Sequence, residues 1–369
     1  MRTTRTAIVL AAAVMALLMP SASRAQDKPA KTPKSAKTPK PDKAAGDTVV
    51  KNPPLFQEST PLAITLAGDL RRLRADKDTN APWRPVSIAY QTAAGRTAIP
   101  ARSRTRGIWR LKNCAFPPLR LDFSGKDTKG TAFDDIGRPK LVNYCRDTDN
   151  HEQYILQEFQ LYRIYQLLTP VSNRVRLVRV TYVDSTRNDT ATVRYAFVVE
   201  DPEQLAKRFR GIQVKVKGAT ATDLEPDQLA LAYLFQFMIG NTDFSFNGLH
   251  NTQLIGTSDG RILPVAYDFD YAGAVNASYA TPDPSLRIRR VRDRLFRGYC
   301  AISEEYPKLL PLFLEKKEAI YALYRDDIGR LMDPGRVKQT LEYFDEFYEM
   351  IATPTAAKSR FLNSCVGPR

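Results

Sequence analysis

The sequence is poor in the residues on which much metal and nucleophilic chemistry depends. Among its 369 residues there are only two histidines, His151 and His250, and four cysteines, none of them in a Cys-x-x-Cys spacing. Zinc ions in proteins usually take three or four cysteine or histidine ligands at short spacings. A zinc site is therefore not expected.

Long apolar runs are also scarce. The clearest one, residues 7–19, follows Arg2 and Arg5 and precedes the small residues Ser23 and Ala25. This arrangement is typical of a secretory signal peptide, so we predict that residues 1–25 are removed, with an uncleaved anchor as the alternative. No later run has the length of a membrane helix, and the mature chain is expected to be soluble and periplasmic or secreted.

Residues 26–52 consist mostly of Lys, Pro, Ala, Thr and Asp. Such a segment buries too little apolar surface to fold, so a flexible tether is predicted. The net charge of the chain is +15, and over half of it lies on residues 53–369. A basic balance favours phosphates or an anionic cell surface as partners, although dispersed charge also serves solubility. No nucleic acid partner is expected, and the chain is expected to be a monomer.

The four cysteines indicate disulfides, because an even number in an exported chain is typical of oxidised pairs. Three pairings are possible. We favour Cys114 with Cys145 and Cys300 with Cys365, because each pair would lie within one half of the predicted fold.

Strand and helix patterns divide the rest of the chain into two parts. Apolar alternation predicts strands at 62–66, 86–90, 97–101, 119–123, 140–144, 174–183 and 193–200. Apolar residues at helical spacing predict helices at 151–168, 229–239, 304–324 and 336–351. Pro117-Pro118 predicts that 119–123 is an edge strand. The order predicts an α+β protein with two lobes, a β-rich N-lobe (53–202) and a mainly helical C-lobe (203–369).

The stretch from Met238 to Asn276 contains the strongest signal for a site. Two apolar runs, 252–255 and 262–267, predict a β-hairpin that turns at residues 258–260. Four polar side chains flank this hairpin: Asp243, Asn251, Asp268 and Asp270. Oxygen ligands at both ends of one hairpin can converge, which suits a divalent metal and a phosphate. A capped turn or a structural calcium site is the alternative for the last two.

A second signal lies upstream. Lys140 begins a predicted strand, and Glu158 lies on the apolar face of the next helix, where it needs a partner. A lysine held by a carboxylate can extend toward phosphates, so an ion pair between the two is predicted. Both follow a basic turn, Arg102–Arg110, with one glycine, Gly107. The arginines of this turn either bind phosphate or form a solvated edge of the sheet.

With these motifs the chain resembles the CotH-like secreted kinases, a branch of the protein-kinase-like fold, over about residues 60–350. The motifs that carry the resemblance are Arg104-Thr-Arg-Gly107, Lys140, Glu158, the strand from Tyr195 to Glu200, Asn241-Thr-Asp243, Asn251 and Tyr267-Asp-Phe-Asp270. The resemblance implies a two-lobed protein-kinase-like fold.

The resemblance also implies roles for the site residues. Asp243 would orient the acceptor hydroxyl or act as its base, with Lys140 and Glu158 completing the catalytic set. The residues implied to bind ATP or another nucleotide are Arg104, Arg106, Gly107, Lys140 and Glu200. The residues implied to bind Mg²⁺ or Mn²⁺ are Asn251, Asp268 and Asp270. Asn247 is a rival to Asn251, because the spacing from Asp243 to Asn251 is longer than in kinases.

Two functions are compatible with these signals. The first is an exported, Mg-nucleotide-dependent phosphotransferase acting on a hydroxyl of a protein, sugar or lipid in the cell envelope. The alternative is a catalytically inactive relative or a calcium-binding envelope protein that binds an anionic or phosphorylated partner. Acidic loop residues of exported proteins bind Ca²⁺ readily, which keeps this alternative open.

Overall fold

The computed structural model of the protein describes residues 52–187 and 190–368. In the first part of this structure, seven strands close into a β-barrel. The strands are Leu62–Gly68 (β1), Arg84–Thr92 (β2), Gly95–Thr105 (β3), Leu119–Phe123 (β4), Lys140–Val142 (β5), Val175–Asp184 (β6) and Thr192–Val199 (β7). Their order around the barrel is β1-β2-β3-β4-β5-β7-β6. Neighbouring strands are antiparallel except β1 and β6, which pair in parallel from Leu62–Val178 to Gly68–Asp184 and close the ring.

The predicted fold class, a two-lobed protein-kinase-like fold with a sheet in its N-lobe, is therefore wrong. The described chain forms a closed mixed barrel combined with nine α-helices, and its residues fall in one compact unit. Strand periodicity located the barrel strands but could not show that β1 and β6 pair, because residues far apart in the chain are joined only by tertiary folding.

The prediction of an edge strand at 119–123 is wrong for the same reason. A closed barrel has no edges, and β4 pairs with both β3 and β5. Pro118 precedes the first residue of β4, so its missing N–H removes no bond from the ladder. Its carbonyl oxygen accepts a hydrogen bond from the Arg106 amide at 2.8 Å.

Both faces of the barrel wall are buried where helices cover it. On β7, Ala196 and Val198 point into the barrel core, whereas Phe197 and Val199 belong to the core around the helices. Successive side chains of a strand point to opposite faces, which explains why this strand is a continuous apolar run rather than an alternating one. Burial of each large apolar side chain contributes roughly 1.5–3 kcal/mol.

The helices lie in connections between the barrel strands and at intervals along the chain after the barrel. They are Leu70–Ala75 (α1), Trp109–Asn113 (α2), Gly125–Thr128 (α3), Asp149–Leu168 (α4), Pro202–Arg208 (α5), Pro226–Ile239 (α6), Glu305–Ala322 (α7), Pro334–Met350 (α8) and Pro354–Arg360 (α9). Two predicted turns contain regular structure: the basic turn 102–110 holds the end of β3 and the start of α2, and α5 replaces the turn predicted after residue 200. Short helices of this length carry too few apolar repeats to be recognised.

A small sheet lies beside α6 and carries the predicted hairpin. Its strands are Gly211–Val214 (β8), Thr252–Thr257 (β9) and Ile262–Ala266 (β10), in the order β10-β9-β8. The β9–β10 hairpin is confirmed, with Ile262 opposite Gly256 and Ala266 opposite Thr252. β8 was not predicted, since four partly exposed residues give almost no periodic signal.

Both proposed cysteine pairings are confirmed: Cys114 is bonded to Cys145 and Cys300 to Cys365. Among the described helices, none combines the length and the apolar character needed to cross a bilayer. The predicted signal peptide and tether lie outside the described residues, except for Asn52.

Candidate active site

A cleft of about 420 Å³ brings together the basic turn, the loop after α6 and the loop after β10. We call it the carboxylate cleft. Its lining residues are Arg106, Gly107, Ile108, Trp109, Arg110, Pro118, Asp243, Leu249, His250, Asn251, Tyr267, Asp268, Asp270 and Tyr271. Six of these residues, namely Arg106, Gly107, Asp243, Asn251, Asp268 and Asp270, were predicted as site residues from the sequence.

The loop after α6 holds Asp243 in a fixed place. The helix ends at Gly240, which has a φ of +66° and no room for a side chain, because a Cβ there would lie 1.9 Å from the Tyr343 hydroxyl. Buried Asn241 donates to Gln236 Oε1 at 3.0 Å and accepts from the Asp243 amide at 3.0 Å. The direction of the Asp243 side chain is thus set by a helix end and a buried amide.

Both oxygens of the Asp243 carboxylate have partners. Oδ1 lies 2.7 Å from Nε2 of His250, and Oδ2 accepts from Nδ2 of Asn251 at 2.9 Å. The hydrogen bond to Asp243 raises the pKa of His250, against the opposing effect of burial. Sequence reasoning had not singled out His250, because a lone histidine in a turn is usually a hydrogen-bonded structural group.

Three further carboxylates lie close together, two from the cleft lining and one from α4. One oxygen each of Glu158, Asp268 and Asp270 lies within 4.8 Å of the others. Asp268 adopts a φ of +65°, and its amide donates to the Tyr162 hydroxyl at 2.9 Å. The Phe269 amide donates to Glu158 Oε1 at 3.3 Å, so α4 and the loop after β10 fix each other. We call these three residues the carboxylate triad.

Arg110 lies among the three carboxylates, whereas sequence reasoning considered it only as one of the arginines that bind phosphate or form a solvated edge. Its guanidinium nitrogens are 2.6 Å from Asp268, 3.5 Å from Asp270 and 3.6 Å from Glu158. Burial opposes the charge of Arg110, yet the three carboxylates hold its pKa well above the ordinary value. The sequence signal was only its place in a basic turn, which three other arginines share.

One arginine does not compensate three carboxylates, of which Glu158 and Asp270 are buried and Asp268 is partly exposed. Burial raises the pKa of Glu158 well above its ordinary value and that of Asp270 to about 6, despite Arg110. Burial acts the same way on Asp268, but Arg110, Arg106 and Lys140 hold its pKa below the ordinary value. Within the described residues, Oε2 of Glu158 is buried and accepts no hydrogen bond. The triad therefore has negative charge that Arg110 does not compensate and one oxygen without a partner, and a further cation could bind to both.

The predicted ion pair between Lys140 and Glu158 does not form among the described residues. Arg110 takes the place beside Glu158, and Lys140 Nζ lies 3.7 Å from the centre of the Tyr267 ring. Burial, with Arg106 adding to it, lowers the pKa of Lys140 well below its ordinary value. Lys140 is thus a buried amine behind the wall of the cleft rather than a group paired with a glutamate.

Three other candidates do not line the cleft. The Arg104 guanidinium lies over the Trp83 ring at 4.7 Å. Glu200, implied to bind nucleotide, instead accepts from Arg208 at 3.0 and 2.9 Å. Asn247, the rival to Asn251, donates to the carbonyl oxygen of Ala219 at 3.2 Å. The cleft thus contains Asn251 and not its rival.

Residues 256–260 have the spacing Gly-x-Ser-x-Gly, which in α/β-hydrolases presents a nucleophilic serine on a strand-to-helix turn. Here the motif spans the end of β9 and the turn of the β9–β10 hairpin. Neither histidine lines a site with Ser258, since His250 is bonded to Asp243 and His151 lies on α4. The motif does not support hydrolase chemistry.

Comparison with models of known protein families finds no match to this chain, and comparison with curated proteins finds none either. The function is therefore inferred from the geometry of the carboxylate cleft.

Proposed function

We propose that the protein is an exported phosphotransferase that uses a magnesium-bound nucleotide to phosphorylate a hydroxyl group. One observation carries this proposal: Asp243 and two members of the carboxylate triad line the same cleft. Phosphoryl transfer needs one carboxylate to orient the acceptor and others to hold a metal near the phosphates. The proposal depends on the site and not on a kinase-like fold.

The triad fits a divalent cation. Three carboxylates against one arginine leave an excess of negative charge, and a buried Glu158 oxygen lacks a hydrogen bond within the described chain. Hard oxygen donors of this kind suit Mg²⁺, with Mn²⁺ as a substitute. Asp268, Asp270 and Glu158 would hold the ion. When bound, the nucleotide would supply the phosphoryl group, and the metal ion would neutralise the negative charge that develops during its transfer.

The protein groups on the other wall would act on the acceptor. Asp243 would accept the proton of the acceptor hydroxyl as that oxygen bonds to the transferred phosphorus, and the bond to ADP would break so that ADP leaves. His250 and Asn251 hold the Asp243 carboxylate in one orientation through their hydrogen bonds of 2.7 and 2.9 Å. Arg106 on the cleft wall supplies positive charge toward the phosphates of the donor.

A second candidate function has its own supporting observation. Arg110 occupies the centre of the triad, where its guanidinium already neutralises part of the charge. A protein that no longer binds a metal would be stabilised by such an arginine. A catalytically inactive relative that binds an anionic or phosphorylated partner, or one that holds Ca²⁺ structurally, is therefore the alternative.

Export is part of the proposal. The two disulfides are typical of chains that fold in oxidising compartments, in agreement with the signal peptide predicted from residues 1–25. The resemblance to CotH-like secreted kinases, which motivated the assignment of Asp243 and the Asp-x-Asp motif, likewise remains a proposal. An envelope protein, sugar or lipid would provide the acceptor hydroxyl.

Nucleotide binding by the purified chain tests the proposal. We expect millimolar ATP to raise the melting temperature only when Mg²⁺ or Mn²⁺ is present, because the metal joins the triad to the phosphates. Asp268→Asn should lose the metal-dependent shift. Asp243→Asn should keep the shift but lose phosphate transfer, measured as release of ADP with an acceptor present.

The control is Asp327→Asn, which changes an exposed carboxylate paired with Arg330 on the surface. It should behave as the unchanged protein in both assays. Absence of any shift with ATP and metal would exclude the phosphotransferase and favour the inactive alternative. A shift with Ca²⁺ alone, insensitive to nucleotide, would indicate a structural calcium site.

A further inference from the structure

The carboxylate cleft continues into two adjoining cavities. A middle cavity of about 230 Å³ shares Asp243, His250 and Tyr271 with the cleft. A third cavity of about 810 Å³ shares Thr281, Pro282 and Val291 with the middle one. We call the third the arginine cavity and the connected set the groove. Asp243 thus stands where the cleft meets a groove that leads away from the triad.

The far end of the groove is positively charged. Arg289, Arg290 and Arg292 line the arginine cavity. Within the described residues the Arg289 guanidinium makes no ion pair or hydrogen bond, and that of Arg292 lies over the Tyr343 ring at 4.4 Å. The Arg290 guanidinium pairs with Asp293 at 3.0 Å in an exposed contact. Such a surface pair contributes little, so Arg290 can exchange its partner for a ligand carboxylate.

The carboxylates near the groove do not cancel this charge. Glu346, which also lines the arginine cavity, is paired with Arg294 at 2.6 Å. Asp283, in the middle cavity, accepts from the Ser285 amide at 2.8 Å and caps a short turn. Arg297 is engaged with the carbonyl oxygens on either side of Asp243, at 2.5 and 2.9 Å. These carbonyls hold the Arg297 guanidinium in place without neutralising it, so the middle cavity has one arginine and the end farthest from the triad has three arginines.

The middle cavity favours a peptide over a sugar polymer. Its wall combines the apolar side chains of Pro282 and Leu286 with the hydroxyls of Thr242 and Ser285. An extended peptide offers both apolar side chains and hydrogen-bonding amides to such a wall. A sugar polymer would press hydroxyls against Pro282 and Leu286 without partners, which costs free energy.

We propose that the groove binds an acidic peptide segment of the acceptor, with its serine or threonine at Asp243 and its carboxylates at Arg289, Arg290 and Arg292. This proposal rests on the proposed phosphotransferase function and names its substrate class. Charge complementarity along the groove selects the acceptor and fixes its direction, whereas the chemistry takes place at the cleft.

Binding of short synthetic peptides tests the proposal without requiring catalysis. The probes are fluorescent serine peptides with a block of glutamates on the N-terminal or the C-terminal side, and matched peptides with glutamines instead. Fluorescence anisotropy should show about tenfold tighter binding of one glutamate peptide than of its glutamine match. The difference should shrink as salt is added.

The double variant Arg289→Gln/Arg290→Gln should reduce binding of the preferred glutamate peptide about tenfold and leave the melting temperature unchanged. Arg330→Gln is the matched control, because Arg330 forms the same kind of exposed ion pair, with Asp327 at 2.9 Å. It should bind as the unchanged protein does.

The outcomes separate this inference from the proposed function. Equal binding of glutamate and glutamine peptides, or no effect of the double variant, would overturn the acidic-peptide groove. Tighter binding of an acidic oligosaccharide than of either peptide would assign the groove to a glycan and also overturn it. Arginine-dependent peptide binding without phosphate transfer would uphold the groove and reject the phosphotransferase. Phosphate transfer to the glutamate and glutamine peptides with equal kcat/KM would uphold the phosphotransferase and reject the acidic-peptide groove.

Discussion

Glu158 and Glu200 are both almost fully buried glutamates that face arginines, yet their surroundings differ. Both oxygens of Glu200 accept hydrogen bonds from the Arg208 guanidinium, at 3.0 and 2.9 Å, and the Arg174 amide adds a third at 3.0 Å. Glu158 has one amide donor at 3.3 Å, an arginine at 3.6 Å and one oxygen without a hydrogen bond.

The difference separates a structural ion pair from a candidate site. A buried carboxylate with all its hydrogen bonds made has no capacity left for a ligand and serves to hold chain segments together. A buried carboxylate that has an oxygen without a hydrogen bond, and that lies beside two other carboxylates, is energetically unfavourable. A bound cation can lower this free energy. Hydrogen-bond satisfaction and the neighbouring carboxylates, rather than burial, distinguish the two.

Arg110→Ala should have the largest effect, because it removes the one positive charge within the carboxylate triad. We expect a loss of about 3–5 kcal/mol in the free energy of unfolding, measured by denaturant titration without metal. Millimolar Mg²⁺ should restore a substantial part of this loss, since the triad then binds the ion instead. Arg208→Ala should lose a similar unfolding free energy, and Mg²⁺ should not restore it. If Mg²⁺ restored stability in both variants, the Glu158 and Glu200 sites would not differ in metal binding.

Glu200→Gln should have the next largest effect. The amide group of glutamine would face a guanidinium with a donor where an acceptor is needed, so we expect a loss of about 2–3 kcal/mol in unfolding free energy. Any melting-temperature shift caused by ATP and Mg²⁺ should be unchanged. A loss of that shift at unchanged stability would mean that Glu200 contacts the nucleotide after all.

Glu158→Gln should have the smallest effect on stability and the clearest effect on metal response. Glutamine keeps an acceptor for the Phe269 amide and avoids burying a charge, so the unfolding free energy should change by less than about 1 kcal/mol. Stabilisation by Mg²⁺ should fall markedly in the same thermal assay. A loss as large as that of Glu200→Gln would show that both glutamates are structural.

The residues that sequence reasoning expected to converge around the β9–β10 hairpin do line one cleft. Asp243, Asn251, Asp268 and Asp270 converge because one short hairpin joins them, and local spacing is enough to predict that. The partner of Glu158 was predicted wrongly. Lys140 and Arg110 are both cations upstream of α4, and only the path of the chain around the barrel decides which one reaches the triad.

Most strands, the long helices, the hairpin and the acidic residues near the cleft could be predicted from the residues alone. These depend on periodicity and on short-range spacing, which are local properties. The folded chain was needed to show that the strands close into a barrel, that Glu200 is fully paired and that Arg110 lies inside the triad. These features depend on pairing and burial between segments that are far apart in the sequence. Their free energy is set by spatial neighbours, which local sequence patterns do not reveal.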